Sequence, residues 1–140
     1  MEYRKFDKGF VLRLDPGDEV VGCLTKLAKE ENIQLASVTG LGATNDATVG
    51  YLHLEEKKFY GKRCQGTYEI SALVGNITRK DGEPYLHVHL TFGNPVTGEL
   101  YGGHLTSCTI SATAEIFVEV WQGEVGRKFD DQIGLNLFQF

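Results

Sequence analysis

The sequence has few prolines and few cysteines. Of its 140 residues, 3 are proline and 3 are cysteine, whereas 17 are glycine. Cys23, Cys64 and Cys108 are far apart and form no Cys-x-x-Cys pair, so neither a disulfide framework nor a thiolate zinc site is predicted. A high glycine content is typical of strand-rich folds with tight turns and close backbone contacts. We therefore expect a mainly β protein in a reducing compartment, the cytoplasm.

The sequence also lacks a long hydrophobic run and an excess of positive charge. No apolar stretch approaches the roughly 18 residues that a membrane span needs, and the first residues do not resemble a signal peptide. Asp and Glu total 19 against 14 Lys and Arg, which gives a formal net charge of -5. Such a chain has no general attraction for DNA or anionic lipid. We expect no membrane anchor and one domain over residues 1–140, which is long enough to bury a single core.

The densest group of basic residues is short and lies directly beside two glutamates. A solvated hairpin explains this mixed charge better than a nucleic-acid site does. DNA binding would require assembly to concentrate these side chains. The group comprises Lys57, Lys58, Lys62 and Arg63.

One amphipathic helix is predicted, from about Pro16 to Asn32. Asp15 is a suitable N-cap, Pro16 suits the first helical position, and acidic residues follow in the first turn. Apolar residues then recur at helical spacing up to Ala28, with charged residues on the other face. This helix is expected to pack on a sheet.

Most of the remaining sequence has the pattern of β-strands, with β-branched and aromatic runs separated by turn residues. A final short strand that returns to the sheet is predicted after Asp131. The fold class is therefore α+β (α/β in the broad sense), with an antiparallel sheet and one main helix. The other predicted strands lie at 10–14, 34–39, 48–54, 58–62, 67–77, 85–92, 100–106 and 111–121.

Three histidines lie on two neighbouring predicted strands. His87 and His89 are two positions apart, so both side chains point to one face of their strand. His104 lies on the next strand and joins that face if it pairs opposite either histidine. It faces away if it pairs opposite Val88, and the loop length leaves both registers open.

Three neutral imidazoles with an open fourth position form a common zinc site, and they also suit nickel, copper or iron. The alternative interpretation is a polar strand face without metal. Gly102 and Gly103 favour a site, because missing side chains before His104 permit a ligand or another backbone to approach. A bulge would also explain these glycines.

Other candidate residues carry weaker signals. Glu69 interrupts an apolar strand and is a candidate fourth ligand or proton carrier, although it also suits a solvent-facing acid. His53 is interpreted as a surface strand residue, and Cys108 as a small buried cysteine without an activating neighbour. The Gly-Leu-Gly at 40–42 lacks the spacing and the Lys-Ser/Thr ending of a phosphate loop.

Five motifs, in order along nearly the whole chain, together resemble those of the PPC (plants and prokaryotes conserved) domain family. The resemblance implies a strongly bent antiparallel sheet and assembly as a homotrimer. In plants this domain follows an AT-hook that holds DNA, but no Arg-Gly-Arg core occurs here. The motifs are LDPGDEV at 14–20, VTGLGA at 38–43, YEI at 68–70, HVH at 87–89 and GGHL at 102–105.

The resemblance also implies a metal. His87, His89 and His104 match the family's HxH and GGHL positions and resemble the three-histidine zinc ligands of acetolactate decarboxylase, whose fold is related. The leading hypothesis is thus a cytoplasmic homotrimer that holds zinc, or another divalent transition metal, at these residues. The alternatives are a DNA-binding or DNA-associated regulatory module, a zinc-dependent enzyme acting on a small carbonyl substrate, and structural histidines without metal.

Overall fold

The computed structural model describes residues 1–140 as one helix and eight antiparallel strands, which confirms the predicted α+β class. The elements are β1 (Glu2–Phe6), β2 (Gly9–Leu14), α1 (Val20–Glu30), β3 (Ala36–His53), β4 (Lys58–Lys80), β5 (Glu83–Asn94), β6 (Glu99–Val120), β7 (Gly126–Asp130) and β8 (Leu135–Gln139). The first six strands form one sheet in the order β1-β2-β6-β3-β4-β5. The last two form a separate hairpin, so the prediction that the final strand returns to the main sheet is wrong.

The four longest strands close on themselves. β5 pairs with β4 along one edge and with the first residues of β6 along the other. β6 also pairs with β3, and β3 pairs with β4, which completes a barrel-like ring. β2 and then β1 extend this sheet from the second half of β6. Closure leaves few free strand edges in this part of the sheet.

Three of these strands are longer than the sequence predicts. We expected separate strands at 34–39 and 48–54, at 58–62 and 67–77, and at 100–106 and 111–121, but each pair is one continuous strand. The intervening residues continue the ladder through register shifts, such as those between Gly40 and Gly42 and between Thr44 and Asp46. An extra residue in one strand bends it and increases its twist, so these strands curve around the core.

The helix begins later than predicted. Its N-cap is Glu19, not Asp15, and the Glu19 carboxylate accepts hydrogen bonds from the backbone N–H groups of Val21 and Gly22. The preceding residues form a turn in which Gly17 has a φ of +91°, and this left-handed backbone cannot belong to an α-helix. The helix ends at Glu30, before Asn32, whose φ is also positive.

The core lies between the helix and the inner face of the sheet. α1 buries its apolar stripe, including Leu24 and Leu27, while β2 and β6 contribute Leu12 and Ile116. Burying each such side chain contributes about 1.5–3 kcal/mol. The helix therefore packs against the sheet that carries the histidines.

The helix is neither long nor apolar enough to cross a membrane.

Candidate metal centre

The strand register places all three predicted histidine ligands on one face. His89 of β5 pairs directly with His104 of β6, and His87 lies two residues from His89 on β5. Opposed residues in an antiparallel pair point to the same side of the sheet. The alternative pairing of His104 with Val88 does not occur.

The three imidazole rings converge. Their centroids are 5.3 Å apart for His87 and His89, 5.0 Å for His87 and His104, and 5.5 Å for His89 and His104. One nitrogen of each ring lies within 4.8 Å of the corresponding nitrogen of the other two. A tetrahedral zinc ion with bonds of about 2.0–2.1 Å requires nitrogen separations of roughly 3.3 Å. Small side-chain rotations would close that difference, so the donor set fits a zinc ion.

The surroundings of His87 and His104 favour the neutral form of these two side chains. Burial, followed by the neighbouring charges of His104 and His89, lowers the pKa of His87 below its usual value. Burial, followed by His89, also lowers the pKa of His104. A lowered histidine pKa means that the uncharged imidazole is favoured, and this is the form that binds metal.

A close contact between two backbones positions His104. Gly50 of β3 pairs with His104, and a Cβ atom on Gly103 would lie 2.7 Å from the Gly50 carbonyl oxygen. Only glycine fits at Gly103 without moving β3 away from β6. Gly103 therefore permits the close approach of another backbone, one of the two explanations that the sequence suggested. The Phe59 ring packs edge-on against His104 at 5.9 Å.

The histidines lie on the wall of a cavity of about 620 Å³. One side of this cavity consists of the histidine face and the end of β3, and the other consists of the C-terminal hairpin β7–β8. The sequence does not predict the hairpin side, because no periodic signal connects residues 126–139 to the histidines. The lining residues from the hairpin are Arg127, Leu135, Asn136, Leu137 and Phe138.

The weaker candidates lie away from this cavity. Glu69 is exposed and pairs with Gly93, four positions along β5 from His89, which corresponds to about 13 Å. His53 ends β3 and lies within 3.9 Å of the Glu56 carboxylate. Cys108 is fully buried, and burial raises the pKa of its thiol to about 11.

The basic residues do not form a continuous patch. Arg63 pairs with the Asp46 carboxylate, and Lys62 lies over the Tyr101 ring at 4.5 Å. Lys58 lies over the Tyr60 ring, and Lys57 donates to a backbone carbonyl near the C-terminus. Contacts within the chain thus already engage these four charged groups.

Comparison with known proteins agrees with the resemblance seen in the sequence. Residues 1–122 match the model of the Plants and Prokaryotes Conserved (PCC) domain, the family abbreviated PPC above. A crystal structure of a candidate DNA-binding protein from Bacteroides thetaiotaomicron has a TM-score of 0.95 at 29% identity, covering 99% of this chain and 96% of that one. Among curated proteins, none matches the sequence significantly.

Two archaeal structures are also similar. A metal-containing protein from Archaeoglobus fulgidus has 34% identity and a TM-score of 0.86, with all of both chains covered. A plant- and prokaryote-conserved protein from Pyrococcus horikoshii has 31% identity and a TM-score of 0.86, covering 99% of this chain and 95% of that one.

A more distant likeness concerns the fold alone. A Staphylococcus aureus protein of unknown function, similar to alpha-acetolactate decarboxylase, has a TM-score of 0.52 at 19% identity. The match covers 81% of this chain and 53% of that one. The predicted likeness to the acetolactate decarboxylase fold is confirmed at this level.

Proposed function

The chain belongs to the Plants and Prokaryotes Conserved domain family, and on that premise we propose that it binds a divalent transition-metal ion through His87, His89 and His104. The observation that carries the proposal is the convergence of three half-buried or exposed imidazoles on one strand face, with a nitrogen of each within 4.8 Å of the others. The metal-containing relative from Archaeoglobus fulgidus supports it.

Zinc is the proposed ion, because three neutral imidazoles are a frequent zinc donor set. An ion with three protein ligands keeps a position for an oxygen donor, which it polarises. The catalytic form of the proposal is a zinc-dependent enzyme acting on a small carbonyl compound. A turnover screen of aldehydes and ketones tests this form, and equal turnover by wild type and His89→Ala would contradict it.

Metal content per chain tests the proposal. Wild type, His89→Ala and the control His53→Ala are purified without an affinity tag, supplied with zinc, dialysed and measured by elemental mass spectrometry. We expect about one zinc per chain in wild type and in His53→Ala, and a large loss in His89→Ala. Zinc retained in His89→Ala, or absent from supplied wild type, would refute the site.

We also propose that the chain assembles as a homotrimer. The support is a group of exposed apolar side chains at and beside the β1 end of the sheet, including Phe6, Leu41 and Phe117, which are each more than half exposed. Light scattering should give three times the 15.5 kDa chain mass, and Phe117→Glu should reduce it. A monomeric wild type would rule out this assembly.

Nucleic-acid binding is the second candidate function. It is supported by the candidate DNA-binding relative from Bacteroides thetaiotaomicron. The net charge of -5 and the internal pairing of Arg63 oppose it. A gel shift at low salt tests it directly: binding that weakens with salt and with Lys58→Ala would support DNA contact, and no shift would exclude direct binding.

Two further proposals concern organisation and location. We propose that residues 1–140 form one domain, since the core residues of the helix and sheet belong to one cluster. We propose a cytoplasmic location because Cys23, Cys64 and Cys108 are all free thiols, as is usual in a reducing compartment.

A further inference from the structure

Arg127 of the C-terminal hairpin lies in the wall of the histidine cavity, held between two aromatic rings. Its guanidinium carbon is 4.2 Å from the centroid of the Phe138 ring and 4.8 Å from that of Tyr85. Its Nε donates to Thr78 Oγ1 at 3.0 Å, one terminal nitrogen donates to the Asn136 carbonyl at 3.0 Å, and the other donates to Asn76 Oδ1 at 2.8 Å. These contacts fix the position of the side chain.

The charge of Arg127 has no counter-ion. All three acceptors are neutral, and no carboxylate lies within ion-pair distance of this residue. A guanidinium has five N–H donors, so two remain without an acceptor. Burial lowers the pKa of Arg127 below its usual range, as expected for a cation that is partly removed from water and uncompensated. An anion beside it would offset this cost through charge-assisted hydrogen bonds.

The cavity itself is apolar and free of acids. Its volume of about 620 Å³ lies within the range of about 300–1,000 Å³ that small-molecule sites occupy. None of the 15 residues that line it is Asp or Glu, although the chain contains 19 acidic residues. Leucine and aromatic side chains provide most of the surface, which includes Leu52, Phe59 and Leu137. These walls suit an organic anion better than an inorganic one.

The Arg127 guanidinium lies a short distance along β5 from the histidines. Tyr85, on which Arg127 stacks, precedes His87 by two residues, which is about 7 Å along a strand. Asn76, which accepts from Arg127, is the direct cross-strand partner of His87. A molecule of a few carbon atoms would therefore reach from the guanidinium to the histidine face.

We propose that this cavity binds a small organic carboxylate, whose carboxylate group pairs with Arg127 and whose apolar body packs against the leucine and aromatic walls. The molecule's other end faces the three histidines. This deepens the proposed metal function and rests on it only for the ion at the histidine end. Arg127 then has two roles, because it fastens the hairpin to β4 and supplies the positive charge of the site.

Calorimetry with a matched pair of probes tests the role of the charge. The full zinc-supplied chain is titrated with 3-phenylpropanoate and with its neutral analogue 3-phenylpropanamide, in wild type, Arg127→Gln and Arg127→Lys. We expect Arg127→Gln to weaken 3-phenylpropanoate binding about tenfold or more, because one charge-assisted pair is lost. Binding of the amide should change less than twofold, and Arg127→Lys should recover part of the carboxylate affinity.

A crystal structure of wild type with 3-phenylpropanoate tests the same claim without any substitution in the hairpin. The carboxylate is expected within hydrogen-bond distance of an Arg127 terminal nitrogen, with the phenyl ring in the cavity. A carboxylate bound elsewhere would overturn the inference.

Zinc content is measured on every sample, so that failure of the carboxylate site can be distinguished from failure of the metal site. One zinc per chain with equal carboxylate affinity in wild type and Arg127→Gln would overturn this inference alone. Arg127-dependent carboxylate affinity in wild type that holds no zinc would overturn the proposed metal function alone.

Discussion

His89 and His104 are direct cross-strand partners in the β5–β6 ladder, with their ring centroids 5.5 Å apart. This pairing decides whether a site exists, because a shift of one residue would turn His104 to the opposite face of the sheet. The turn between β5 and β6 holds this register, and the close contact of Gly103 with Gly50 holds β6 against β3 beside His104. The candidate metal centre is thus a consequence of strand pairing.

Substitution of Gly103 should disturb the contact between β3 and β6 that positions His104. In Gly103→Ala, the new Cβ would lie 2.7 Å from the Gly50 carbonyl oxygen, so β3 and β6 must separate beside His104. We expect a loss of about 1–3 kcal/mol in the free energy of unfolding, as is typical of overpacking, together with weaker zinc binding. Urea unfolding and zinc titration measure the two effects.

Gly102→Ala is the matched control. Its Cβ would approach Thr91 Oγ1 at 3.3 Å, and that atom ends a side chain that can rotate away. A smaller loss is expected here than in Gly103→Ala. If both alanine variants had the same stability and zinc affinity, the close contact would not be what positions His104.

Removing the Glu19 carboxylate should destabilise the protein by about 1–2 kcal/mol, the upper range for a helix N-cap. The carboxylate accepts from Val21 and Gly22 at the start of α1, and it also accepts from the Cys108 backbone N–H on β6. Glu19→Ala therefore leaves three donors without this partner. The exposed Glu30→Ala is the control, with an expected change of at most about 0.5 kcal/mol. Equal midpoints of urea unfolding for the two variants would contradict this role.

The Asp46 carboxylate should make a pH-dependent contribution to stability. Hydrogen bonds from Arg63, then from Gln65, hold the pKa of Asp46 below its usual value of 3.8. A lowered carboxyl pKa means that this contribution is complete above the unfolded-state pKa and is lost as the pH falls through the folded-state pKa. Asp46→Asn should therefore melt at a lower temperature than wild type at pH 7, and the difference should disappear in strong acid.

Salt provides an independent check on Asp46, because this pair is partly exposed and salt screens it. The difference between wild type and Asp46→Asn at pH 7 should shrink as sodium chloride is raised. A difference in melting temperature that is the same at pH 3 and pH 7 would show that the charge of Asp46 is not responsible.

Local sequence patterns predicted the helix, most of the strands and the shared face of the histidines, but not β1 or β7. The spacing of His87 and His89 defines a shared face on any strand, and helical periodicity identified the buried side of α1. Residue patterns could not predict that β3, β4 and β6 continue through their bulges, since the hydrogen bonds that maintain these strands come from distant partners.

Long-range geometry also explains what the sequence analysis missed at the site. Arg127 is 23 positions from His104 and belongs to a hairpin outside residues 1–122, the part that matches the family. Its role depends on contacts with Asn76, Thr78 and Tyr85, which no local pattern connects to it. In the same way, Asp15 had the better N-cap signature in the sequence. The helix instead begins after Glu19, because the left-handed backbone at Gly17 forms a turn.

The most direct test of the central claim is the anomalous difference density of a zinc-supplied crystal, measured on both sides of the zinc absorption edge. We predict one strong peak per chain, about 2.0–2.1 Å from one nitrogen each of His87, His89 and His104. A peak bound by other residues, or no peak among these three rings in protein that has been supplied with zinc, would contradict the account.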